Sequence, residues 1–207
     1  MNVATEIDQG TATDAGHFDV LIVGAGISGI DAAYHLQQHS PERSFALLET
    51  QDSFGGTWHT HKFPGIRSDS DLFTFGYEFK PWTGPPIATG EEILAYMGEV
   101  IDDHDLAKHI RYNHEVDKAV WSTEHKRWTL TVRRTDTDDE LQFTCNFLYM
   151  CQGYYNHKVP YTPEWPGTGR FQGQIVHPQM WPDDLNYADK KVICIGSGAT
   201  AATIIPR

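Results

Sequence analysis

Between an apolar run, Phe18–Val23 (FDVLIV), and a helical pattern from about Ile27 to Gln38 stands Gly24-Ala25-Gly26-Ile27-Ser28-Gly29, a G-x-G-x-x-G turn. The run reads as a buried parallel strand. Ile27, Ile30, Ala33, Tyr34 and Leu36 fall near one helix face, and Ser40-Pro41 stops the helix. Phe45–Leu48 (FALL) is a second apolar run, which completes a βαβ unit with a right-handed crossover. Gly24 permits the tight turn, Gly26 lets the backbone approach a pyrophosphate, and Gly29 allows close helix–strand packing. The helix N-terminus presents N–H groups to an anion. Glu49, at the end of the second strand, can accept ribose hydroxyl hydrogens. A carboxylate there fits either FAD or NAD.

The rest of the chain reads in blocks. From Phe54 to Pro86 it is rich in Gly, Pro and aromatics without a clean period, which predicts a long functional loop. A helix should begin at a capping box, Thr89 with Glu92, and carry Ile93, Tyr96, Met97, Val100 and Ile101 as one apolar stripe. Val116–Ser122, Arg127–Arg134 and Glu140–Thr144 predict a small antiparallel meander. Phe147–Cys151 (FLYMC), ending at Gly153, predicts a separate strand returning to the main sheet. Lys191–Ile195 (KVICI) predicts another buried strand, leading into Gly196-Ser197-Gly198-Ala199-Thr200-Ala201, a second G-x-G-x-x-A turn.

Composition excludes several classes. Of 207 residues, 16 are Lys or Arg and 28 are Asp or Glu, a net charge of −12 with no cationic cluster, so no nucleic-acid partner is expected. The three cysteines form no C-x-x-C pair, which argues against a disulfide framework or zinc site. No carboxylate or Cys is spaced to close a site around the eleven histidines, so no metal is expected. The acidic stretch Asp136–Glu140 reads as a solvated hairpin tip. The longest apolar stretch is too short to span a bilayer, and residues 1–17 lack the features of a signal peptide. These readings point to a loose tail and a cytoplasmic protein.

Phe54-Gly55-Gly56-Thr57-Trp58 adds a second glycine pair beyond the ribose-binding acid, which lets backbone lie close to an extended cofactor, with Trp58 either over a ring system or as a hydrophobic loop anchor. FGGTW followed by Phe63–Asp71 (FPGIRSDSD) resembles the flavin-containing monooxygenases, in particular their Baeyer–Villiger branch. With Phe79–Trp82 (FKPW), the resemblance is closest to the ethionamide-activating type. Residues Phe171–Pro182 match the family fingerprint F-x-G-x-x-x-H-x-x-x-W-P. The resemblance runs from about Phe18 to Arg207.

This resemblance implies FAD and NADPH as cofactors, and molecular oxygen with a small ketone, thioether or amine as co-substrates. One oxygen atom would be inserted next to a ketone carbonyl, or onto sulfur or nitrogen, through a flavin peroxide. It implies that Gly24, Gly26, Ser28, Gly29 and Glu49 hold the adenosine and pyrophosphate of FAD. Gly56 lies close to the extended cofactor, and Thr57 and Trp58 meet the flavin. By the same resemblance Asp69 would be the catalytic carboxylate near the flavin ring, with Arg67 and Ser68 on the nicotinamide side. Val116 contacts the adenine edge, and Gln152-Gly153 lies near the pyrophosphate. Gly196, Ser197, Gly198, Ala199, Thr200 and Ala201 cradle the NADPH pyrophosphate. His177 belongs to the hinge between the nucleotide domains.

The expected fold is α/β, a Rossmann-like doubly wound parallel sheet with an inserted antiparallel β-meander, cut at the start of a second dinucleotide-binding domain. Residues 18–160 form the FAD-binding part, 161–190 the fingerprint linker, and 191–207 the start of the NADPH-binding part. A crossover needs a dozen or more residues, whereas nine follow Gly198. This 207-residue chain is therefore expected to be inactive alone, and its full-length parent to be the enzyme. The alternatives are an N- or S-oxygenating flavin monooxygenase, or a catalytically silent nucleotide-binding fragment.

Overall fold

A computed structural model describes residues 12–206. The chain forms two compact units, each built from two segments. The first comprises the chain up to Phe54 together with His104–Gly153, and the second comprises Gly55–Asp103 with the chain from Tyr154 onward.

In the first unit, β1 (Thr13–Val23), α1 (Ile27–His39) and β2 (Phe45–Leu48) form the expected βαβ element, with β2 on the expected residues. β1 and β2 pair in parallel from Val20–Phe45 to Val23–Leu48. β3 (Ile110–Arg111) extends the sheet beyond β2, while β4 (His114–Ser122), β5 (Arg127–Arg134) and β6 (Glu140–Met150) complete it on the other side. The strand order is β3-β2-β1-β6-β5-β4. The β3 to β6 side is parallel, and the β6-β5-β4 side is antiparallel. Leu21, Ile22, Leu47 and Leu48 are almost fully buried, each contributing about 1.5–3 kcal/mol of apolar burial. Leu130, Val132, Phe143 and Cys145 continue the core under the antiparallel half.

Three expectations change here. Glu140–Thr144 and the FLYMC run are not two strands but one continuous β6. Its first half pairs with β5 on one edge while its whole length pairs with β1 on the other, which leaves no reason for a break. The meander is thus the far half of the same sheet. The tail expected over residues 1–17 is partly wrong: β1 begins at Thr13, because Thr13–His17 lie along Leu141–Thr144. A bulge at Asp14–Gly16 is held by the Gly16 N–H donating to Asp14 Oδ1 at 2.9 Å. Residues 1–11 lie outside the described residues.

The second unit holds the aromatic loop. It is not wholly irregular, since it carries two single-turn helices, α2 (Thr57–Thr60) and α3 (Leu72–Phe75). The longer α4 (Gly90–Asp103) buries the expected stripe of Ile93, Tyr96, Met97, Val100 and Ile101. Its capping box is formed: Thr89 N–H donates to Glu92 Oε2 at 2.8 Å, and Glu92 N–H to Thr89 Oγ1 at 3.2 Å. The FKPW motif anchors on this helix. Tyr96 Oη donates to the Lys80 carbonyl at 2.6 Å, Trp82 meets the Tyr96 ring edge-on, and Lys80 Nζ pairs with Asp103 and Glu99 at 2.8 and 3.1 Å.

The fourth correction concerns residues 191–195, which form no strand; Val192, Ile193 and Ile195 are exposed. A parallel strand needs a neighbouring ladder, and the described residues offer this run none. The short α5 (Ala199–Ile204) still forms after the second glycine turn.

Candidate functional site

The first glycine turn is built as its spacing requires. Gly24 has φ of +100°, and a Cβ there would stand 2.8 Å from the Cys151 carbonyl oxygen. A Cβ on Gly29 would lie 2.0 Å from the Gly24 carbonyl oxygen, so only glycine lets α1 start against the end of β1. No side chain caps α1, and its first turn carries no acid. Positive helix-end charge is therefore left for an anion rather than neutralised from within the helix.

Glu49 closes this turn. The residue is 5% exposed; Oε2 accepts the Ala25 N–H at 2.7 Å, and Oε1 accepts the Gln51 N–H at 2.9 Å. A carboxylate offers about four acceptor positions, so two remain for the paired hydroxyls of a ribose. The surrounding backbone is fixed by the Glu49 N–H donating to Arg111 O at 2.9 Å, and by the His114 N–H donating to Glu49 O at 2.7 Å. Burial, with the Glu49 charge second, pushes the Tyr112 phenol upward. Burial pushes the His114 imidazole downward; its Nδ1 lies 2.6 Å from Tyr112 O. Sequence reasoning missed Ala25, Gln51 and the Cys151 carbonyl, because each acts through backbone atoms that a residue pattern does not display.

The other expected residues of this unit are placed as follows. Ser28 is exposed at the start of α1, and Gly153, with φ of +71°, follows β6. Val116 lies on β4 just before a bulge, half-buried against the sheet core. An open groove between α1 and the end of β6, lined by Leu36, His39, Phe147 and Tyr149, includes none of the expected site residues.

The second unit carries Gly56, Thr57, Trp58, Arg67, Ser68, Asp69, His177 and the second glycine turn. Gly56 caps α2, and Trp58 on that helix meets the Phe75 ring edge-on at 6.1 Å. Arg67 bridges to Thr89, and the Ser68 N–H donates to Ala88 O at 2.9 Å, which ties this loop to the start of α4. Ser68 is buried, its Oγ donating to Ser70 O at 2.5 Å; Asp69 between them is exposed. Tyr155 feels Asp69: a hydrogen bond with Tyr154, then burial, then the Tyr154 and Asp69 charges hold its phenol above the ordinary range. His177 Nδ1 accepts the Gln179 N–H at 3.2 Å. Gly196, with φ of +137°, repeats the positive φ of Gly24, and Gly198 caps α5. Residues 191–199 are exposed. Among the described residues, no His, Cys, Asp or Glu side chains gather in threes to hold a metal ion, and no helix is long and apolar enough to cross a membrane.

Comparison with known proteins agrees with this geometry. Residues 22–84 match the NAD(P)-binding Rossmann-like domain, and residues 77–206 match the flavin-binding monooxygenase-like family. The chain is 53% identical over 191 residues to the FAD-containing monooxygenase EthA of Mycolicibacterium smegmatis, covering 92% of this chain and 38% of that protein. It is 46% identical over 192 residues to a probable FAD-binding monooxygenase, AlmA, of Acinetobacter baylyi, with the same coverages. Among solved structures, a steroid monooxygenase bound to NADP superposes with a TM-score of 0.76 at 34% identity, over 92% of this chain and 36% of that one. A cyclohexanone monooxygenase with bound cyclohexanone gives 0.78 at 26% identity, over 94% and 37%. The chain thus spans well under half the length of the relatives it matches. The glycine turn, the acid that closes it and the family match over residues 77–206 together make this chain a member of the flavin-binding monooxygenase-like family.

Proposed function

We propose that this chain is the N-terminal, nucleotide-binding part of an FAD- and NADPH-dependent monooxygenase that inserts one atom of O2 into a small organic substrate. The Glu49–Ala25 bond carries the reading, because it sets a ribose-binding carboxylate against a pyrophosphate-binding turn. Gly24, Gly26, Ser28, Gly29 and Glu49 would hold the adenosine and pyrophosphate of FAD, with Val116 and Gly153 beside them. Gly56, Thr57 and Trp58 would meet the flavin. Gly196–Ala201 would hold NADPH, and His177 would serve the hinge. Residues 18–160, extended back to Thr13 by the start of β1, would form the FAD part, 161–190 the linker and 191–207 the NADPH part. Absence of a membrane-crossing helix among the described residues fits a cytoplasmic setting.

Bound flavin would supply hydride acceptance and oxygen activation; the protein orients the partners and excludes water. Asp69 would lie near the flavin ring, holding charge where hydride passes, with Arg67 and Ser68 beside it on the nicotinamide side. The first reading of the substrate is a ketone, in a Baeyer–Villiger insertion, because the fingerprint F-x-G-x-x-x-H-x-x-x-W-P is complete from Phe171 to Pro182. Oxygenation of a thioether or amine is the second.

The full-length protein should purify yellow, and its visible flavin band should bleach when NADPH is added under nitrogen. Asp69→Ala should keep the colour but slow bleaching by on the order of tenfold or more. A colourless preparation that takes up no FAD overturns the reading. Product analysis with a cyclic ketone and a thioether separates the two substrate classes.

A further inference from the structure

The strap after β6, from Tyr154 to Thr162, has no regular structure, yet it is fastened within the second unit at two points. One is the Gln179 Nε2–H donating to the Asn156 carbonyl at 2.6 Å, from the same residue whose N–H is held by His177. The other is a cluster of three rings. His61 meets Tyr155 edge-on at 5.5 Å and His157 edge-on at 6.2 Å, and Tyr155 lies 6.3 Å from His157. His61 Nδ1 is 2.9 Å from the Thr57 carbonyl oxygen; a carbonyl only accepts, so Nδ1 carries the proton and neutral His61 has a bare Nε2. His157 Nδ1 is buried with no hydrogen-bond partner.

We infer that His61 and His157 are the closure that holds Tyr155 beside the Asp69 loop, and that proton uptake at His157 releases the strap. A neutral His157 can pack edge to face against His61, whereas a cation in that half-buried place loses hydration. A proton added at His157 Nδ1 finds no acceptor, so the cation must turn outward to be hydrated. The groups facing the pair are Tyr154 and Tyr155 on the strap and Asp69, whose charge reaches the cluster at Tyr155. Burial, then the charge of His61, lowers the His157 imidazole. The sign follows. The closed strap favours neutral His157, so closure is complete above the ordinary histidine value of about 6.5 and is lost as pH falls below it. Tyr155 is then a positioning residue for the Asp69 loop. Only Asp69's role rests on the proposed function; the closure itself does not.

The test is amide hydrogen exchange on the 207-residue chain, corrected for intrinsic rates, at about pH 7.5 and about pH 5.5, either side of the ordinary histidine value. Amides of residues 154–160 and 57–69 should lose roughly tenfold or more of their protection at the lower pH beyond whatever β1 and β2 lose. His157→Phe retains a ring that cannot charge, and should stay protected at both pH values. His157→Arg should be unprotected at both. Unchanged wild-type protection, or a pH loss that persists in His157→Phe, overturns the proposal. Should His157→Phe fail to fold, the wild-type data still decide, because a loss no larger than that of β1 and β2 is not a local release and also overturns it. The measurement needs no flavin, so failure to bind FAD and failure of the closure are separate results.

Discussion

The Glu49 carboxylate accepts the Ala25 N–H at 2.7 Å, and this one bond joins the acid at the end of β2 to the glycine turn at the end of β1. The other oxygen takes the Gln51 N–H, so a single buried carboxylate fixes two backbone segments and still has acceptor capacity for a ligand.

Glu49→Gln should break that arrangement. The amide offers one acceptor oxygen, so one of the two N–H groups would face an NH2 donor. Urea unfolding should show a loss of about 1–3 kcal/mol, and retention of FAD through gel filtration should fall. Unchanged stability would show that the carboxylate does not hold the turn.

The two glycine turns should respond differently to a methyl group. In Gly29→Ala the new Cβ would fall 2.0 Å from the Gly24 oxygen, forcing α1 off β1 at a cost of about 3 kcal/mol or more. A Cβ on Gly198 meets nothing within 4 Å, so Gly198→Ala should cost about 1 kcal/mol or less. Thermal unfolding of both variants checks the contrast.

The three thiols should react in a fixed order. Cys194 is exposed; Cys151 is half-buried and held upward by burial and by Asp31; Cys145 is buried and pushed up to about 11. At pH near 8, roughly one Cys145 in a thousand would be thiolate. A disulfide-exchange reagent should modify Cys194 fast, Cys151 slowly and Cys145 only in denaturant. Rapid modification of all three would mean that the sheet core is open.

Acid should weaken the first unit. Burial lowers both His109, stacked on Phe45 with ring centres 4.0 Å apart, and His114. Both folded values lie below the ordinary one, so the folded state favours neutral rings. Their contribution is whole above about pH 6.5 and is lost as pH falls through that value toward the folded ones. The urea midpoint should drop between about pH 7 and pH 5.5, and less so in His114→Gln. A flat profile would contradict this.

Much of the fold is legible in the residues. β2 and β5 stand on their expected bounds, α1 ends one residue beyond its own, and the Thr89–Glu92 capping box forms as written. These features depend on local period and on side chains that bond their own backbone. The parts of the site that were not legible depend on atoms distant in sequence. Nothing in the pattern announces that the Cys151 carbonyl would meet a Cβ on Gly24, or that His61 meets His157 ninety-six positions later.

FALL and KVICI make the division plain. By itself the sequence determined where tight turns and helix starts must fall, because glycine, capping residues and apolar spacing act over a few bonds. It marked both runs alike, as short apolar stretches. Only the tertiary structure decided between them: Phe45–Leu48 lies between β1 and β3 and is buried, whereas Lys191–Ile195 pairs with no strand among the described residues and stays exposed. A strand's hydrogen bonds belong to its ladder, and partners far along the chain decide whether an apolar run becomes one.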